Sequence, residues 1–514
     1  MPVIGPEQWN YQTAAHLLLR SGFGHHGSIR KSTGEATLVR ALANKTPEKA
    51  VDWVLNLRVP RQLQGPGNLV ARDWASFDSL RAWWLQSMIK TKNPALEKIV
   101  LFLHTHFATA QSRVNKSLYM AKQNALFRAY ALGDFRELVK AINIDPAMLW
   151  WLDGQSNSRR APNENYAREL MELFTLGVFD FAGNKNYSQA DVTQAARMLT
   201  GWRIREVNND VEAYFDMNRH DTGSKTIFAP DPNETPLQNP ANAYTEPASN
   251  DAPWAAEEHR RLVDAIFNHR DTEGRPTAAR FLVRKLWKFY AYDPVVDVGT
   301  SREDLSLIDE LADVFVASGY RIPAVLRAMF LRTEFYADRT RTVKSPVEYV
   351  VGSLRMLKAT RTEDGRYTLL DTLEELSDQG NQNKGGLGQM GQTLLDPPDV
   401  FSWKGNSYWI TSHALLQRAI FAARLCARRW PVNRPRDAVW VERLLPRRAM
   451  PRAEVVNRLL LLLGPIEVDA VTHNHLVELL GPDDPFDPRD EQNIFFRLHP
   501  LAQMILMLPQ YHVH

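Results

Sequence analysis

Apolar residues recur with the period of an α-helix along most of this chain, and that period constrains the fold more than any other feature. Between Pro94 and Ala108 the apolar positions form one continuous helical face, made of Leu96, Ile99, Val100, Leu103 and Phe107. No stretch shows several alternating strands separated by turn signals. The chain is therefore predicted to be all-α, a large multi-helix body with orthogonal or bundle-like packing and long irregular loops.

Two irregular stretches divide the helical pattern. Residues 203–253 are rich in Asn, Asp, Pro and Thr, and residues 380–404 contain a glycine-rich run. At roughly 100–200 residues per domain, 514 residues allow two to four domains or one large helical body. We expect one integrated unit with four parts: an N-terminal helical part (1–202), a polar loop excursion (203–256), a central helical part (257–430) and a C-terminal helical cap (431–514).

The composition excludes several classes of protein. Lys plus Arg total 62 and Asp plus Glu 59, a net charge of +3 that offers no broad basic surface to nucleic acid. The single cysteine, Cys426, cannot form an internal disulfide or a cysteine-based metal centre. No leader is visible at the N-terminus, and the longest apolar run, Leu459–Leu463, is far shorter than the ~20 residues of a membrane span. The chain is predicted to be cytoplasmic.

The segment 163–176 carries the most informative pattern. Asn163 is a suitable N-cap and Gly177 a suitable helix stop. The helix face opposite its buried stripe contains Asn165, Arg168, Glu169 and Glu172. Residues three apart on a helix have Cβ atoms about 5–6 Å from each other, so Glu169 and Glu172 must repel unless a cation or a shared proton intervenes. This predicts a paired-carboxylate site for acid/base work or a hard metal ion; the alternative is a solvated polar stripe.

Other ionisable residues have two interpretations each. Asp191 follows Ser188 at the spacing of a capping box, which indicates a helix cap or else a catalytic acid. His104 and His106 resemble a metal pair, but residues two apart on a helix point about 200° away from each other. They suit core-edge histidines, unless the helix ends at Leu103.

A glycine-containing loop, Arg219–Lys225, holds His220, Asp221 and Lys225, which indicates either a binding turn or a solvated cluster of charges. Among fourteen tryptophans, those near irregular polar segments are candidates for stacking on a ligand, with core packing as the alternative: Trp202, Trp403 and Trp409.

Several segments together resemble the large bacterial DUF1800 family, whose shared domain has no assigned function. The matching blocks are 17–24, 103–109, 162–177, 187–192, 200–202, 219–225, 284–287, 343–348 and 390–403. One departure is Leu103, where the family more often has Trp. The resemblance covers essentially the whole chain, which implies one large helical unit. Members are often exported and encoded near sulfatase-like proteins in bacteria that handle complex polysaccharides, which implies extracytoplasmic carbohydrate chemistry, although this chain shows no leader.

We therefore expect a helical hydrolase or lyase that acts on a polysaccharide or other polar polymer, uncharged or locally recognised. Glu169 and Glu172 would form the acid/base pair, and Arg168 would hold one carboxylate ionised. Because carboxylates on one helix point the same way, a partner from another segment is expected, from among Asp191, Asp221 and His106.

The remaining candidates would bind substrate. Asn163 and Asn165 would orient hydroxyl groups, and the tryptophans would supply a stacking wall. The loop would close over the site with His220, Asp221 and Lys225. Two alternatives stay open: a metal-dependent enzyme that holds a divalent ion with Glu169, Glu172, His104 and His106, and a non-enzymatic scaffold or binding protein.

Overall fold

The computed structural model describes residues 3–25, 35–56, 76–92, 94–230, 240–337, 342–357, 386–426 and 441–514. The first two hundred residues are helical. They form α1 (Tyr11–Ser21), α2 (Thr37–Ala43), α3 (Pro47–Leu55), α4 (Phe77–Lys90), α5 (Pro94–His106), α6 (Gln111–Val114), α7 (Ser117–Tyr130), α8 (Phe135–Ile142), α9 (Pro146–Trp151), α10 (Glu164–Glu169) and α11 (Gln189–Met198). A π-helical turn, Leu170–Thr175, continues α10.

Two small antiparallel sheets follow, so the protein is mostly helical but not strictly all-α as predicted. They are β1 (Trp202–Val207) with β2 (Asp210–Phe215), and β3 (Lys225–Ile227) with β4 (Tyr244–Glu246). The turn between β1 and β2 is Asn208-Asn209, with both residues at positive φ (51° and 60°), the conformation that two-residue hairpin turns require. The prediction of an irregular loop was wrong here because these short strands are half exposed and lack a clean apolar alternation.

Helices return in the second half of the chain. They are α12 (Ala252–Ala256), α13 (Glu258–Asn268), α14 (Thr277–Tyr290), α15 (Leu305–Ala317), α16 (Ile322–Phe330), α17 (Glu334–Ala337), α18 (Pro346–Met356), α19 (Ser412–Cys426), α20 (Arg452–Leu462), α21 (Ala470–Glu478), α22 (Glu491–Asn493), α23 (His499–Met507) and α24 (Pro509–His512).

One cluster of buried apolar side chains reaches from Ile4 near one end of the chain to Tyr511 near the other. The domain boundaries stay a prediction. Within the described ranges, none of the helices combines the length and the apolar character needed to cross a membrane.

The capping box at the start of α11 is confirmed. Ser188 accepts from the backbone N–H of Asp191 at 3.2 Å, and the Asp191 carboxylate accepts from the Ser188 N–H at 2.7 Å. Ser188→Ala removes the side chain that accepts from the Asp191 N–H in the first turn of α11. We therefore expect the free energy of unfolding to fall by about 1 kcal/mol. Urea denaturation measures this, with Ser224→Ala as a serine control outside any helix; an unchanged midpoint for Ser188→Ala would contradict it.

Candidate active site

The signature helix does not stay α-helical. In its π-helical turn, the Leu176 N–H donates to the Met171 carbonyl at 2.8 Å, a spacing of five residues in place of four. A π turn holds more residues than an α turn and is frequent at functional sites. Glu169 ends the α-helical part and Glu172 lies in the π turn, so the two carboxylates do not keep the register predicted for a regular helix.

Side chains from two distant helices bind the carbonyl groups at the end of this turn. The Lys285 ammonium donates to the Leu173 carbonyl at 3.0 Å, and Nε2 of His106 donates to the Phe174 carbonyl at 3.0 Å. The last carbonyls of a helix have no partner within the helix, so such donors are needed. These two bonds place Lys285 of α14 and His106 of α5 beside Glu172.

Glu172, His106 and Lys285 line a cavity of about 480 Å³, a volume within the range of about 300–1,000 Å³ typical of ligand sites. We call it the main cavity. Helix α14 presents residues spaced by three or four to it. Its ionisable and aromatic lining is Phe102, His106, Glu172, Phe281, Arg284, Lys285, Lys288, Phe289, Glu348, Phe401, Trp403, Lys404 and Trp409.

Lys285 is the most unusual group in the main cavity. Its side chain is half-buried and has no carboxylate partner in the part of the chain that the structure describes. Burial, with a smaller contribution from Lys288, lowers the pKa of the Lys285 ammonium to about 7. A free amine is therefore present near neutral pH, and it can act as a general base.

The other ionised groups of the main cavity mostly have partners. Arg284 forms two 2.7 Å hydrogen bonds with Asp297, and Lys288 lies 2.6 Å from Asp293. Glu348 pairs with Lys98 and caps α18. The pairs compensate each other's charges, so that among the described residues Lys285, Lys404 and Glu172 are the charged lining groups outside these ion pairs.

Glu172 is held by Tyr187, whose hydroxyl donates to Oε2 at 3.3 Å. Burial and the Glu172 carboxylate raise the pKa of the Tyr187 hydroxyl, which keeps it a donor. Burial, and then the charge of Glu172, raise the pKa of Glu169 against the opposing effect of Arg168. The two carboxylates thus interact, but only Glu172 lines the main cavity.

A second cavity of about 340 Å³ shares Glu172, Leu173, Phe281 and Arg284 with the main cavity, so the two adjoin. We call it the side cavity. Its other charged and aromatic lining residues are Phe179, Asp180, Phe181, Asp271, Arg280 and Asp297.

A family model described as a protein of unknown function, DUF1800, matches residues 16–513. The chain belongs to the DUF1800 family. Comparison with curated proteins and with solved structures gave no match. The resemblance seen in the sequence blocks is therefore confirmed over nearly the whole chain, while the site in this DUF1800 member must be interpreted from its own geometry.

Four of the predicted site residues meet at the main cavity: His106, Glu172, Trp403 and Trp409. Helix α5 continues to His106, so the two histidines point apart. Nε2 of His104 accepts from the Leu395 N–H at 3.2 Å, and burial lowers the pKa of His104 to about 3. In the described ranges, no group of three His, Cys, Asp or Glu side chains is arranged to hold a metal ion.

The start of the signature helix lies away from both cavities. The Asn163 side chain caps α10 and donates to the carbonyls of Leu152 and Asp153 at 3.1 Å, and Asn165 is exposed beside it. Arg168 donates to the Gln189 side chain at 2.8 Å.

The loop residues predicted to close over the site lie elsewhere, with His220 and Lys225 buried and Asp221 half-buried. Lys225 donates to Oε2 of Glu258 at 2.7 Å, and Nε2 of His220 lies 3.2 Å from Oε1 of the same carboxylate. Asp221 accepts two hydrogen bonds from Arg197, at 2.8 and 3.1 Å. These contacts form an interior ion cluster that lines neither cavity.

The last two candidates also make their contacts within the fold, with Asp191 buried and Trp202 half-buried. The Asp191 carboxylate accepts from the N–H groups of Ser188 and Phe228, at 2.7 and 2.5 Å. The Trp202 ring packs edge-on against Phe215 and His259.

Sequence reasoning missed Lys285, although its segment was noted as a family block. The signal was available in α14, where Phe281, Lys285 and Phe289 follow each other at intervals of four residues. A lysine flanked by aromatics on one helical face is a better candidate than one among other charges.

Proposed function

We propose that this protein is a lyase that cleaves an acidic polysaccharide by elimination in the main cavity, with Lys285 as the base. The observation that carries the proposal is the Lys285 amine: it has a pKa near neutrality, it faces a cavity beside Glu172, and the described residues give it no carboxylate partner. General bases are most effective when their pKa lies near the working pH.

The reaction needs a base near a carbon that bears both a hydrogen and a carboxylate. The free amine of Lys285 removes that proton, the C–O bond to the next sugar breaks and a C=C bond forms. The resulting ammonium returns the proton to the leaving oxygen, so the atoms balance without a second titratable group. Lys404 also lines the cavity, and its ammonium stabilises the charge that develops on the substrate carboxylate.

Glu172 and the aromatic side chains position the sugar. The Glu172 carboxylate is oriented by Tyr187 and can accept hydrogen bonds from sugar hydroxyls. Trp403 and Trp409 offer flat apolar surfaces of the kind on which sugar rings stack. The Asn406 side chain accepts from the Val343 N–H at 3.0 Å and so anchors the loop that carries them.

Incubation with uronic-acid polysaccharides tests the proposal. We expect new ultraviolet absorbance from the unsaturated product, and product masses lower by one water than those of hydrolysis. Amylose, which carries no acid group, is the control. Products with the mass expected for hydrolysis would show that the enzyme is a hydrolase and not a lyase. The absence of product from every acidic polysaccharide would contradict an enzyme of this class.

Glu172 and Glu169 should differ sharply in their effect on activity. Because a hydrogen bond to a charged group contributes about 1.5–3 kcal/mol, Glu172→Gln is expected to lower kcat/KM by roughly 10–100-fold. Glu169→Gln, the matched control on the same helix, should change it less than about threefold because Glu169 lines neither cavity. Equal losses of kcat/KM in both variants would support the paired-carboxylate site that the sequence predicts.

A further inference from the structure

We infer that the substrate crosses Glu172 as an extended chain, with an acidic sugar in the main cavity and an uncharged or amino sugar in the side cavity. The inference rests on the proposed function and specifies its substrate class, a polymer in which acidic and non-acidic sugars alternate. Cleavage would then take place within the chain and not at its ends.

The first support is the continuity of the two cavities. Glu172 and Arg284 line both, so a ligand that contacts Glu172 in the main cavity can extend directly into the side cavity. Each cavity alone has a volume in the range of ligand sites, about 480 and 340 Å³. A single sugar therefore occupies only part of the available space.

The second support is the reversal of charge between them. The main cavity is lined by four basic side chains (Arg284, Lys285, Lys288, Lys404) and two acidic ones. The side cavity is lined by two basic side chains and four acidic ones. Ion pairs account for Arg284, Lys288 and Glu348 in the main cavity, and for Arg280, Arg284, Asp271 and Asp297 in the side cavity. Among the described residues, the charged groups outside these pairs are Lys285, Lys404 and Glu172 in the main cavity, and Glu172 and Asp180 in the side cavity. A second sugar carboxylate in the side cavity would be repelled, whereas a neutral or cationic sugar would not.

The third support is an exposed aromatic ring in each cavity. Phe401 in the main cavity is 68% exposed and Phe179 in the side cavity is 58% exposed. Isolated exposed apolar side chains are common, but these two lie at the cavities on either side of Glu172. Aromatic faces at both positions fit sugar rings stacked along an extended chain.

Binding of defined oligosaccharides tests the inference independently of catalysis. The probes are free glucuronate, the hyaluronan disaccharide, in which glucuronate is linked to an uncharged sugar, and galacturonate with its dimer. From the contribution of an aromatic contact, we expect the hyaluronan disaccharide to bind about 3–10-fold more tightly than glucuronate, measured by tryptophan fluorescence. The galacturonate dimer should gain nothing over the monomer.

Two exposed-ring variants complete the test. Phe179→Ala should abolish the gain of the hyaluronan disaccharide and leave glucuronate binding unchanged, whereas Phe401→Ala should weaken both. Equal affinity for both lengths, equal preference for galacturonate, or no binding of any probe would overturn the inference. Length-dependent binding without any unsaturated product would overturn the proposed lyase and leave this inference standing. Cleavage from chain ends only would overturn this inference and leave the proposed lyase standing.

Discussion

Lys285→Met is expected to lower kcat on an acidic polysaccharide by about 10²–10⁴, the usual contribution of a general base. The substitution keeps the length and apolar stem of the side chain and removes the amine. Lys288→Met is the matched control: it lies on the same helix and lines the same cavity, but it is exposed and paired with Asp293. We expect its kcat to stay within a few-fold of the native value. If both variants retain kcat, Lys285 is not the base.

The pH profile identifies the base more directly. Because only the free amine can accept a proton, kcat/KM should rise as the pH increases through about 7, the pKa of Lys285. Lys285→Arg keeps a positive charge that cannot be lost at these pH values, so its residual activity should lack that acidic limb. An unchanged acidic limb in Lys285→Arg would assign the base to another group.

Lys285→Met has a second consequence, for the stability of the folded protein. The pKa of Lys285 is about 7 in the folded protein and 10.5 ordinarily, so the unfolded chain binds this proton more strongly. The group therefore destabilises the folded protein fully below pH about 7, and the cost disappears as the pH rises towards 10.5. Urea denaturation should find Lys285→Met more stable than the native protein at about pH 6, with the difference narrowing by about pH 9.

The helices could be predicted where the apolar period is clean. Apolar residues recur at helical spacing through residues 277–290, and α14 has those bounds because its apolar face packs into the core. The hairpin Trp202–Phe215 could not be predicted in the same way, since its strands are half exposed and its turn depends on two asparagines at positive φ. The π turn could not be predicted from the sequence for a different reason: the spacing of its apolar residues fits an α-helix equally well.

The site was predictable only in part because it is formed by distant segments. Glu172 and His106 stood out as individual residues, but their neighbour Lys285 is separated from Leu173, whose carbonyl it binds, by 112 positions. In contrast, the polar residues of the 219–225 loop pointed to a surface site. His220 and Lys225 of this loop are buried because Glu258, 33 residues after Lys225, supplies a buried partner for both. Charged residues in a loop predict an exposed loop only when no distant segment supplies a buried residue of opposite charge.

Glu258→Gln is expected to give the largest loss of stability, about 3–5 kcal/mol in the free energy of unfolding. Glu258 and His220 are fully buried, and Lys225 is 1% exposed. The substitution leaves the Lys225 ammonium in the interior without its carboxylate, and an unpaired buried charge is strongly unfavourable. Glu257→Gln is the control: it is adjacent and exposed, and its 3.2 Å pair with Arg260 lies at the surface, where such pairs contribute about 0–1 kcal/mol.

Activity then separates the structural role of this cluster from the predicted role of His220 and Lys225 in the active site. At a temperature where Glu258→Gln is still folded, we expect kcat within about twofold of native, because the cluster lines neither cavity. The double variant Lys225→Met/Glu258→Leu should recover most of the stability, since it removes both charges together. A folded Glu258→Gln variant with a large loss of kcat would show that these residues belong to the active site. A loss of stability below about 1 kcal/mol would show that the interior pair is not buried in solution.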